Sequence, residues 1–491
     1  MVRFSGSWTD DDIATSHDKK VSQDDVKPSN DAHLSPISDR DSEAVLDVTG
    51  IGIGPANLSL AALLDLYPEI RSRFYDRRAR FSWHSDLLLP AAELQVSFIK
   101  DLVSLVAPNS RLSFLCFLHE QGRLHAFLNA RFDAVLRLEF NQYLQWACRS
   151  LQTLSFGNAV IAVDHLRYNN FFSVESDRER IKSRSIVLGT GLVPRVPNVA
   201  IPHLGEKVFH GSEFLAHKQQ LAGKRIAIVG GGQTGAEVFL NVISREGMSS
   251  PEKVYWISRR PNFLPMDDSP FTNELYTPAY SDHFFSLARD ARLQLLETQK
   301  LTSDGISSAT LTRIYQRLYQ LRFLMDDSTV SWSLRPCREL VSMSKSTGGW
   351  QLGCVETTTA SDEQIDADFV IFCTGYEYRM PDCLSPLRRR ISWGADGYSI
   401  RRDFSIEWDG PDHLRIYVLN AARTARGVAD PNLSLLSWRA AKIANSIAGR
   451  EIYRTQAWPS LIDWNPQMVA ESAGSRADTK LESMWSESAA E

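Results

Sequence analysis

The chain has 491 residues, a formal net charge of −5 at pH 7 and 23% charged residues. This length leaves room for two or three domains with sizeable cores, and the lack of a basic excess argues against a nucleic-acid partner. No apolar run reaches the length of a membrane span, and the N-terminus lacks the apolar core of a signal peptide. The six cysteines include no C-x-x-C pair, which fits free thiols in a reducing compartment. We therefore expect a cytoplasmic protein without a membrane span.

The two ends of the chain differ in composition from the rest. Residues 1–43 are rich in Asp, Ser and Lys and contain few large apolar residues. Such a segment cannot bury enough surface to offset the entropy lost on ordering, and we expect a disordered tail. Residues 463–491 have a similar composition, and we expect a mobile C-terminal tail there.

The first predicted element is a strand, a glycine turn and a helix over residues 45–64. The glycines of such a turn let the backbone approach a pyrophosphate, and the helix N-terminus offers free N–H groups. We expect five residues here to contact a dinucleotide: Gly50, Gly52, Gly54, Pro55 and Asn57. The next predicted strand ends at Asp76, about where a ribose 2′-OH is usually bound. On its own, such a motif can also be a tight turn without a ligand.

A second copy of this element starts at Arg225. Gly230, Gly232 and Gly235 have the full G-x-G-x-x-G spacing between an apolar strand and an amphipathic helix, and they enclose Gln233 and Thr234 in the same candidate site. The following strand ends at Arg259 and Arg260 rather than at an acid. An arginine at this position can pair with a 2′-phosphate, so Arg259 favours NADPH over NADH. The alternative is a solvated arginine pair at a strand end.

Two dinucleotide sites in one chain indicate hydride transfer from a nicotinamide to a flavin, so we assign FAD to the first site and NADPH to the second. The predicted fold is α/β, with two Rossmann-like dinucleotide-binding domains and a substrate-binding region between them. Residues 44–205 form the first part of the FAD domain. The NADPH domain, with a substrate-binding insertion, is placed at 206–362. The second part of the FAD domain, placed at 363–462, begins with the apolar strand before Gly375 and closes the substrate site.

Several longer motifs are more specific than either glycine turn. They are Gly-Ile-Gly-Pro-Ala-Asn57, Phe-Ser-Trp-His84, the segments 94–102 and 231–237, Asp-Ser-Pro-Phe-Thr-Asn-Glu274, the segment 299–306, Cys-Thr-Gly-Tyr376 and Asp-Pro-Asn-Leu-Ser434. From about residue 45 to 460 the chain resembles the siderophore-pathway amine N-hydroxylases, which act on L-ornithine, L-lysine or related diamines. The Phe-Ser-Trp-His and Lys-Leu-Thr-Ser-Asp-Gly-Ile306 versions look most like the lysine N6-hydroxylase branch.

The resemblance implies a flavin- and NADPH-dependent monooxygenase without a metal. NADPH reduces the flavin, O2 adds to give a C4a-hydroperoxyflavin, and the terminal amine of a small-molecule amine or amino-acid substrate attacks the distal oxygen. That amine must be neutral, although a free lysine amine has a pKa of about 10.4. A desolvated pocket lowers the pKa of an amine and excludes water. Relatives of this kind lead us to expect a homo-oligomer, a dimer or a tetramer.

The resemblance also implies roles for four catalytic candidates. Lys100 pairs with the substrate α-carboxylate, and Asn273 hydrogen-bonds the same end of the substrate. Ser434 lies near the reacting amine, and Gln95 contacts the isoalloxazine or the nicotinamide. The remaining implied cofactor contacts are Trp83, His84, Arg137, Asp430, Asn432 and Leu433. Without the resemblance, a lysine after an apolar run is more often solvated, and a lone Asn or Ser is more often a cap or turn residue.

Two departures from the family pattern bear on the substrate and the cofactor. Ser303, a substrate-binding candidate, stands where ornithine hydroxylases carry a second substrate-contacting asparagine, which weakens the case for ornithine. The segment Arg423-Thr-Ala-Arg-Gly427 replaces a His-Thr-His-Gly segment of many relatives. Its two arginines, Arg423 and Arg426, could serve a phosphate-bearing ligand.

Three functions remain open from the sequence. The leading hypothesis is N-hydroxylation of L-lysine as a hydroxamate precursor for siderophore biosynthesis, with a diamine (putrescine or cadaverine), L-ornithine or histamine as alternative substrates. A flavin disulfide reductase is disfavoured because the first domain carries no redox C-x-x-C pair. A non-catalytic dinucleotide sensor is disfavoured because the chain has two dinucleotide sites and also an apolar segment suited to a substrate pocket, Val96-Ser-Phe-Ile99 beside Lys100.

Overall fold

The computed structural model describes residues 45–90, 92–132, 134–325, 330–456 and 460–464. Both predicted tails lie outside these residues, except for the first two positions of the C-terminal one. Trp464, at the second of these positions, packs edge-on against the Tyr280 ring, with 4.6 Å between the ring centroids. Within the described residues, no helix has the length and apolar character needed to cross a bilayer.

The strands are numbered in chain order. They are β1 (Val48–Ile51), β2 (Ser72–Asp76), β3 (Leu154–Phe156), β4 (Val160–Asp164), β5 (Phe172–Ser176), β6 (Arg180–Ser183), β7 (Ser185–Leu188), β8 (Val193–Pro194), β9 (Val208–His210), β10 (Arg225–Val229), β11 (Lys253–Ile257), β12 (Ser331–Arg335), β13 (Arg338–Ser346), β14 (Gly349–Glu356), β15 (Asp362–Ala367), β16 (Phe369–Phe372), β17 (Tyr376–Glu377), β18 (Trp393–Gly394), β19 (Gly397–Tyr398) and β20 (Arg415–Val418).

The α-helices follow the same convention, and short 3₁₀ turns are named by their residues where they matter. They are α1 (Pro55–Leu64), α2 (Phe114–Glu120), α3 (Leu124–Ala130), α4 (Arg137–Ser150), α5 (Phe214–His217), α6 (Gln233–Ile243), α7 (Pro270–Asn273), α8 (Pro278–Ser286), α9 (Arg289–Thr298), α10 (Leu301–Asp304), α11 (Ser308–Phe323), α12 (Arg423–Arg426) and α13 (Leu436–Ala448).

Two parallel five-stranded sheets carry the two glycine turns. The first has the order β20-β7-β1-β2-β3, and the second has the order β12-β11-β10-β16-β9. β1 and β10 are interior strands of their sheets and are buried almost throughout, which is typical of parallel sheets covered on both faces. Both predicted strand–turn–helix units therefore form, and this confirms the predicted α/β fold class.

The second sheet is inserted into the chain of the first. Strand β20 follows all strands of the second sheet in the chain, and it pairs with β7 in the first sheet. The two connections between the sheets run side by side where β8 pairs antiparallel with β17. Strand β16, which we had assigned to the returning FAD domain, instead pairs with β10 in the second sheet. The boundary predicted at residue 363 therefore moves to after β16, because an apolar strand of this kind fits either sheet equally well.

Helix α1 occupies the centre of the largest apolar cluster. Pro55 is its first residue, where a missing N–H and a fixed φ are suited to helix entry. Residues from Ala56 to Leu64 are all buried, and α1 packs against α13 from the far end of the chain.

Candidate active site

The first glycine turn has the shape expected of a pyrophosphate cradle. Gly52 has φ +85°, and a Cβ on Gly50 would lie 2.1 Å from the Phe74 ring, so both positions require glycine for the protein itself. Gly54 differs, because it has an extended backbone and its Cβ would meet nothing closer than the Gly189 carbonyl oxygen at 3.8 Å. Glycine at position 54 therefore keeps the uncapped N-terminus of α1 open, which is where FAD fits.

Asn57 and Asp76 hold this turn in place. The Asn57 amide nitrogen donates to the carbonyl oxygens of Gly52 at 2.8 Å and of two strand residues, Ile51 and Val187, at 3.3 Å. These contacts tie the turn to the two strands beside it, and the predicted cofactor contact of Asn57 stays a prediction.

The Asp76 carboxylate lies beside the turn, as predicted, and accepts four hydrogen bonds. One comes from the Ile53 N–H at 2.8 Å, and three come from the Arg78 backbone and guanidinium at 2.8–3.0 Å. Burial alone would raise the pKa of Asp76, but these hydrogen bonds outweigh burial and lower the pKa. Because four donors saturate a carboxylate, ribose binding by Asp76 requires Arg78 to turn away.

In the second glycine turn, too, some glycines are required by the packing of the protein and one leaves a helix N-terminus open to a ligand. A Cβ on Gly230 would lie 2.1 Å from the Cys373 carbonyl oxygen, and one on Gly235 would lie 2.1 Å from the Gly230 carbonyl oxygen. A Cβ on Gly232, which precedes the uncapped N-terminus of α6, would meet only the Asp304 carbonyl oxygen at 3.6 Å. Thr234 lies half-buried in the first turn of α6. The residues present therefore fit NADPH at this helix end.

The two arginines after β11 have different surroundings. The Arg260 guanidinium donates to the carbonyl oxygens of Gly231 at 3.2 Å and Asp304 at 2.8 Å, so it stabilises the turn. Arg259 is exposed, and its side chain has no hydrogen-bond or ion-pair partner in the part of the chain that the structure describes. Arg259 is thus the arginine that is available for a 2′-phosphate.

Arg137 links the two cofactor domains. Its guanidinium pairs with the Glu237 carboxylate on α6 and donates to the Glu93 carbonyl oxygen at 3.2 Å. Gln233 donates to the same Glu237 oxygen at 2.8 Å and accepts from the Ser307 N–H at 2.8 Å. These contacts give Arg137 and Gln233 supporting roles within the protein. The sequence analysis missed Glu237, because an acid inside a helix carries no signal for a partner so far away.

Lys100 and Ser434 meet although 334 positions separate them. The Lys100 ammonium lies 3.3 Å from the Ser434 hydroxyl oxygen, and burial lowers the pKa of Lys100. In the described part of the chain, no carboxylate lies within ion-pair distance of this ammonium. Asp101 fixes the adjoining loop, because its carboxylate accepts backbone N–H groups of Val103, Ser104 and Phe114 at 2.7–2.9 Å. The described residues therefore hold a partly buried cation in place through Ser434 and place no anion beside it.

Asp430 and Asn432 hold the segment that presents Ser434. The buried Asp430 carboxylate accepts from Arg439 at 3.0 Å and from the Ala422 N–H at 2.7 Å. The Asn432 side chain accepts from the Ser434 N–H at 2.8 Å. These bonds lie within the protein, and the cofactor contacts that we predict for Asp430 and Asn432 stay predictions. Sequence reasoning missed Arg439, the fully buried partner of Asp430.

The other candidates are spread around these groups. Asn273 ends α7, is exposed, and donates to the Asp268 carbonyl oxygen at 3.1 Å. Ser303 donates to the Asp304 carboxylate at 2.8 Å. Gln95 is exposed, and the Trp83 ring packs edge-on between the rings of His84 and Phe140 at 5.0 and 5.9 Å. Leu433 packs against the largest apolar cluster. Their ligand contacts stay predictions.

The two arginines that replace the family histidines differ in exposure and in their contacts. Arg426 is 1% exposed, pairs with Asp282 at 2.8 Å, and lies over the Phe285 and Phe404 rings. Our expectation that it serves a phosphate is wrong, because its guanidinium is enclosed by protein. Arg423 is partly exposed and lies 3.4 Å from the Ser303 hydroxyl oxygen.

Known proteins are similar to this chain in sequence and in architecture. Residues 44–378 match the family model described as L-lysine 6-monooxygenase/L-ornithine 5-monooxygenase. The L-lysine N6-monooxygenase of Escherichia coli is 38% identical over 420 residues, which cover 85% of this chain and 98% of the relative. The FAD-bound cadaverine monooxygenase of Erwinia amylovora superposes with a TM-score of 0.79 at 30% identity, over 85% of this chain and 98% of that one. A Kutzneria ornithine N-hydroxylase, solved with reduced FAD, NADP+ and L-ornithine, superposes with a TM-score of 0.76 at 30% identity. The match covers 83% of this chain and 99% of that one.

Two dinucleotide turns on separate parallel sheets, together with these relatives, define a flavin-dependent N-hydroxylating monooxygenase that uses FAD and NADPH. The chain belongs to the L-lysine 6-monooxygenase/L-ornithine 5-monooxygenase family of siderophore-pathway enzymes. This membership replaces the disulfide-reductase and sensor hypotheses.

Proposed function

We propose that the protein N-hydroxylates the terminal amine of L-lysine and so supplies a hydroxamate precursor for siderophore biosynthesis. The observation that carries this proposal is the Lys100 ammonium, which is partly buried and bonded to Ser434 at 3.3 Å without a protein carboxylate beside it in the described residues. A charge that is removed from water favours a partner of opposite sign. An amino-acid substrate brings that partner, whereas a diamine does not.

The protein's own residues bind and orient the substrate in this proposal. Lys100 holds the α-carboxylate, and Asn273 contacts the same end of the substrate. Ser434, in the segment that the Asp430–Arg439 pair holds, contacts the Lys100 ammonium at 3.3 Å and so supports it at the carboxylate end of the substrate. Bound FAD, reduced by NADPH, supplies the oxygen-activating chemistry. Excluding water from the pocket favours the neutral amine, because desolvation lowers an amine's pKa.

The relatives leave cadaverine, L-ornithine and putrescine as competing substrates, and a cadaverine monooxygenase is among the similar structures. The test is hydroxylamine formation by the FAD-loaded protein with NADPH and each amine supplied separately. We expect L-lysine to give the highest kcat/KM and the most hydroxylamine per NADPH consumed. A higher kcat/KM for any diamine or for L-ornithine would contradict the proposal.

We also propose that the protein is cytoplasmic and forms a homo-oligomer. Its six cysteines are all free, which supports a reducing compartment. Helix α11 exposes Tyr315, Tyr319 and Phe323, which are four residues apart and so share one face. Light scattering is expected to show a dimer or tetramer, with Tyr319→Lys shifting it toward smaller species. A wild-type monomer would contradict this part of the proposal.

A further inference from the structure

The short segment from α10 to Ser307 lies against the NADPH turn. The Asp304 carbonyl oxygen accepts from the Arg260 guanidinium at 2.8 Å and is the nearest atom to a Cβ built on Gly232, at 3.6 Å. Three residues later, the Ser307 N–H donates to the Gln233 side chain at 2.8 Å. Asp304 therefore stands next to the N-terminus of α6, the helix end that fits the nucleotide.

This placement brings an acidic residue close to an anionic ligand. The NADPH pyrophosphate is negatively charged, and a carboxylate beside it weakens binding unless a cation offsets the repulsion. The side chain of Asp304 is 33% exposed, so solvent screens it only in part. The charge of the neighbouring Arg260 also acts on Asp304, although the N–H groups of Arg260 donate to two backbone carbonyl oxygens rather than to the carboxylate.

A cation reaches Asp304 from a distant part of the chain. Arg423, at the start of α12, places a guanidinium nitrogen 3.9 Å from the Asp304 carboxylate and 3.4 Å from the Ser303 hydroxyl oxygen. α12 follows β20, so this arginine comes from the part of the chain that has returned to the first sheet. It stands in the segment that departs from the family's His-Thr-His-Gly pattern.

We propose that Arg423 is a positioning residue for NADPH binding. Its guanidinium offsets the negative charge of Asp304 beside the second glycine turn. The arginine need not touch the nucleotide for this role, because its effect passes through Asp304. The proposal concerns nucleotide binding and holds whichever amine is the substrate. It makes a prediction of sign: removing Arg423 weakens the nucleotide complex, and removing the Asp304 charge as well restores it.

The test is NADP+ binding to the FAD-loaded protein, measured by calorimetric titration without any amine. We expect Arg423→Gln to raise the Kd by about two- to fivefold, the range of a partly exposed charge interaction. Asp304→Asn alone should bind NADP+ as tightly as the wild type or more tightly. The double variant should return to within about twofold of the wild type, because the two charges act as a pair.

Two controls separate this role from a general loss of structure. Arg180→Gln removes an arginine from the exposed Arg180–Glu175 pair, whose atoms are 3.3 Å apart in the strands β5 and β6, and it should leave the Kd unchanged. The effect of Arg423→Gln should also shrink at high ionic strength. An unchanged Kd for Arg423→Gln, a double variant no better than Arg423→Gln, or weaker binding by Asp304→Asn would each overturn the proposal. The last outcome can be read even if Arg423→Gln fails to fold.

Discussion

Lys100→Met removes the charge that we expect to select an amino-acid substrate while keeping the length and apolar stem of the side chain. Among the described residues the ammonium makes one hydrogen bond, to Ser434, and burial lowers the pKa of Lys100. A hydrogen bond to a charged group contributes about 1.5–3 kcal/mol, which corresponds to about a 10- to 150-fold loss of kcat/KM for L-lysine. Cadaverine lacks the carboxylate and should lose little, because removing Lys100 also removes a repulsive charge.

The assay is NADPH-dependent hydroxylamine formation from L-lysine and from cadaverine, with flavin reduction followed separately by stopped flow. Flavin reduction should stay near the wild-type rate. Lys182→Met is a matched control, because Lys182, on strand β6, has its ammonium over the Phe171 ring, 5.6 Å from the ring centroid. If Lys100→Met lowers kcat/KM equally for both amines, or leaves L-lysine unaffected, the reasoning is refuted.

The pH dependence of this preference has a defined sign. Lys100 can pair with a carboxylate only while it is protonated, and burial lowers its pKa below the ordinary value for lysine. The pairing is therefore present at pH values below this lowered pKa and is lost as pH rises through it. Deprotonation of the reacting amine is common to both substrates and largely cancels in their ratio. The ratio of kcat/KM for L-lysine to that for cadaverine should fall with rising pH, and a rising ratio would contradict the assignment.

Three further perturbations test the cofactor sites and the core. Arg259→Ala should weaken NADPH more than NADH by about 1.5–3 kcal/mol in stopped-flow reduction, and equal losses would make this arginine structural. Gly54→Val should lower FAD content, whereas Gly232→Val should keep FAD and weaken NADP+ binding; the reverse pattern would exchange the two sites. A Cβ at either position meets only an ordinary van der Waals contact within the protein, at 3.8 Å for position 54 and 3.6 Å for position 232. Arg439→Ala leaves Asp430 buried without its partner and should lower the free energy of unfolding by about 3–5 kcal/mol in denaturant titrations, and a loss below about 1 kcal/mol would contradict this.

The parts of the fold that could be predicted are those with a local signal. A strand, a glycine turn and a helix follow one another directly in the chain, so β1 to α1 and β10 to α6 could be located from spacing alone. Strand β16 could not be assigned to its sheet, because its neighbours β10 and β9 are set by the tertiary fold. An apolar run carries no information about which of two parallel sheets will accept it.

The candidate site divides in the same way. The contact between Lys100 and Ser434 could not be predicted, since nothing local connects residues 334 positions apart and the family resemblance implied a separate role for each. The partners of Asp430 and Arg426 could not be foreseen, because the sequence around a charged residue does not say which counterion the fold brings to it; Arg439 is nine positions from Asp430, and Asp282 is 144 positions from Arg426. The structure adds that Asp430 and Asn432 hold the segment that presents Ser434, while their predicted cofactor contacts stay predictions.

The central claim is that L-lysine is the preferred amine, and one competition experiment tests it most directly. The FAD-loaded protein is given equal concentrations of L-lysine, L-ornithine and cadaverine with NADPH under ¹⁸O2, and the early products are quantified by mass spectrometry. The product ratio then reports the ratio of kcat/KM values. We predict that N6-hydroxy-L-lysine carrying one ¹⁸O atom is the main product. A main product of N-hydroxycadaverine or N5-hydroxy-L-ornithine would contradict the account.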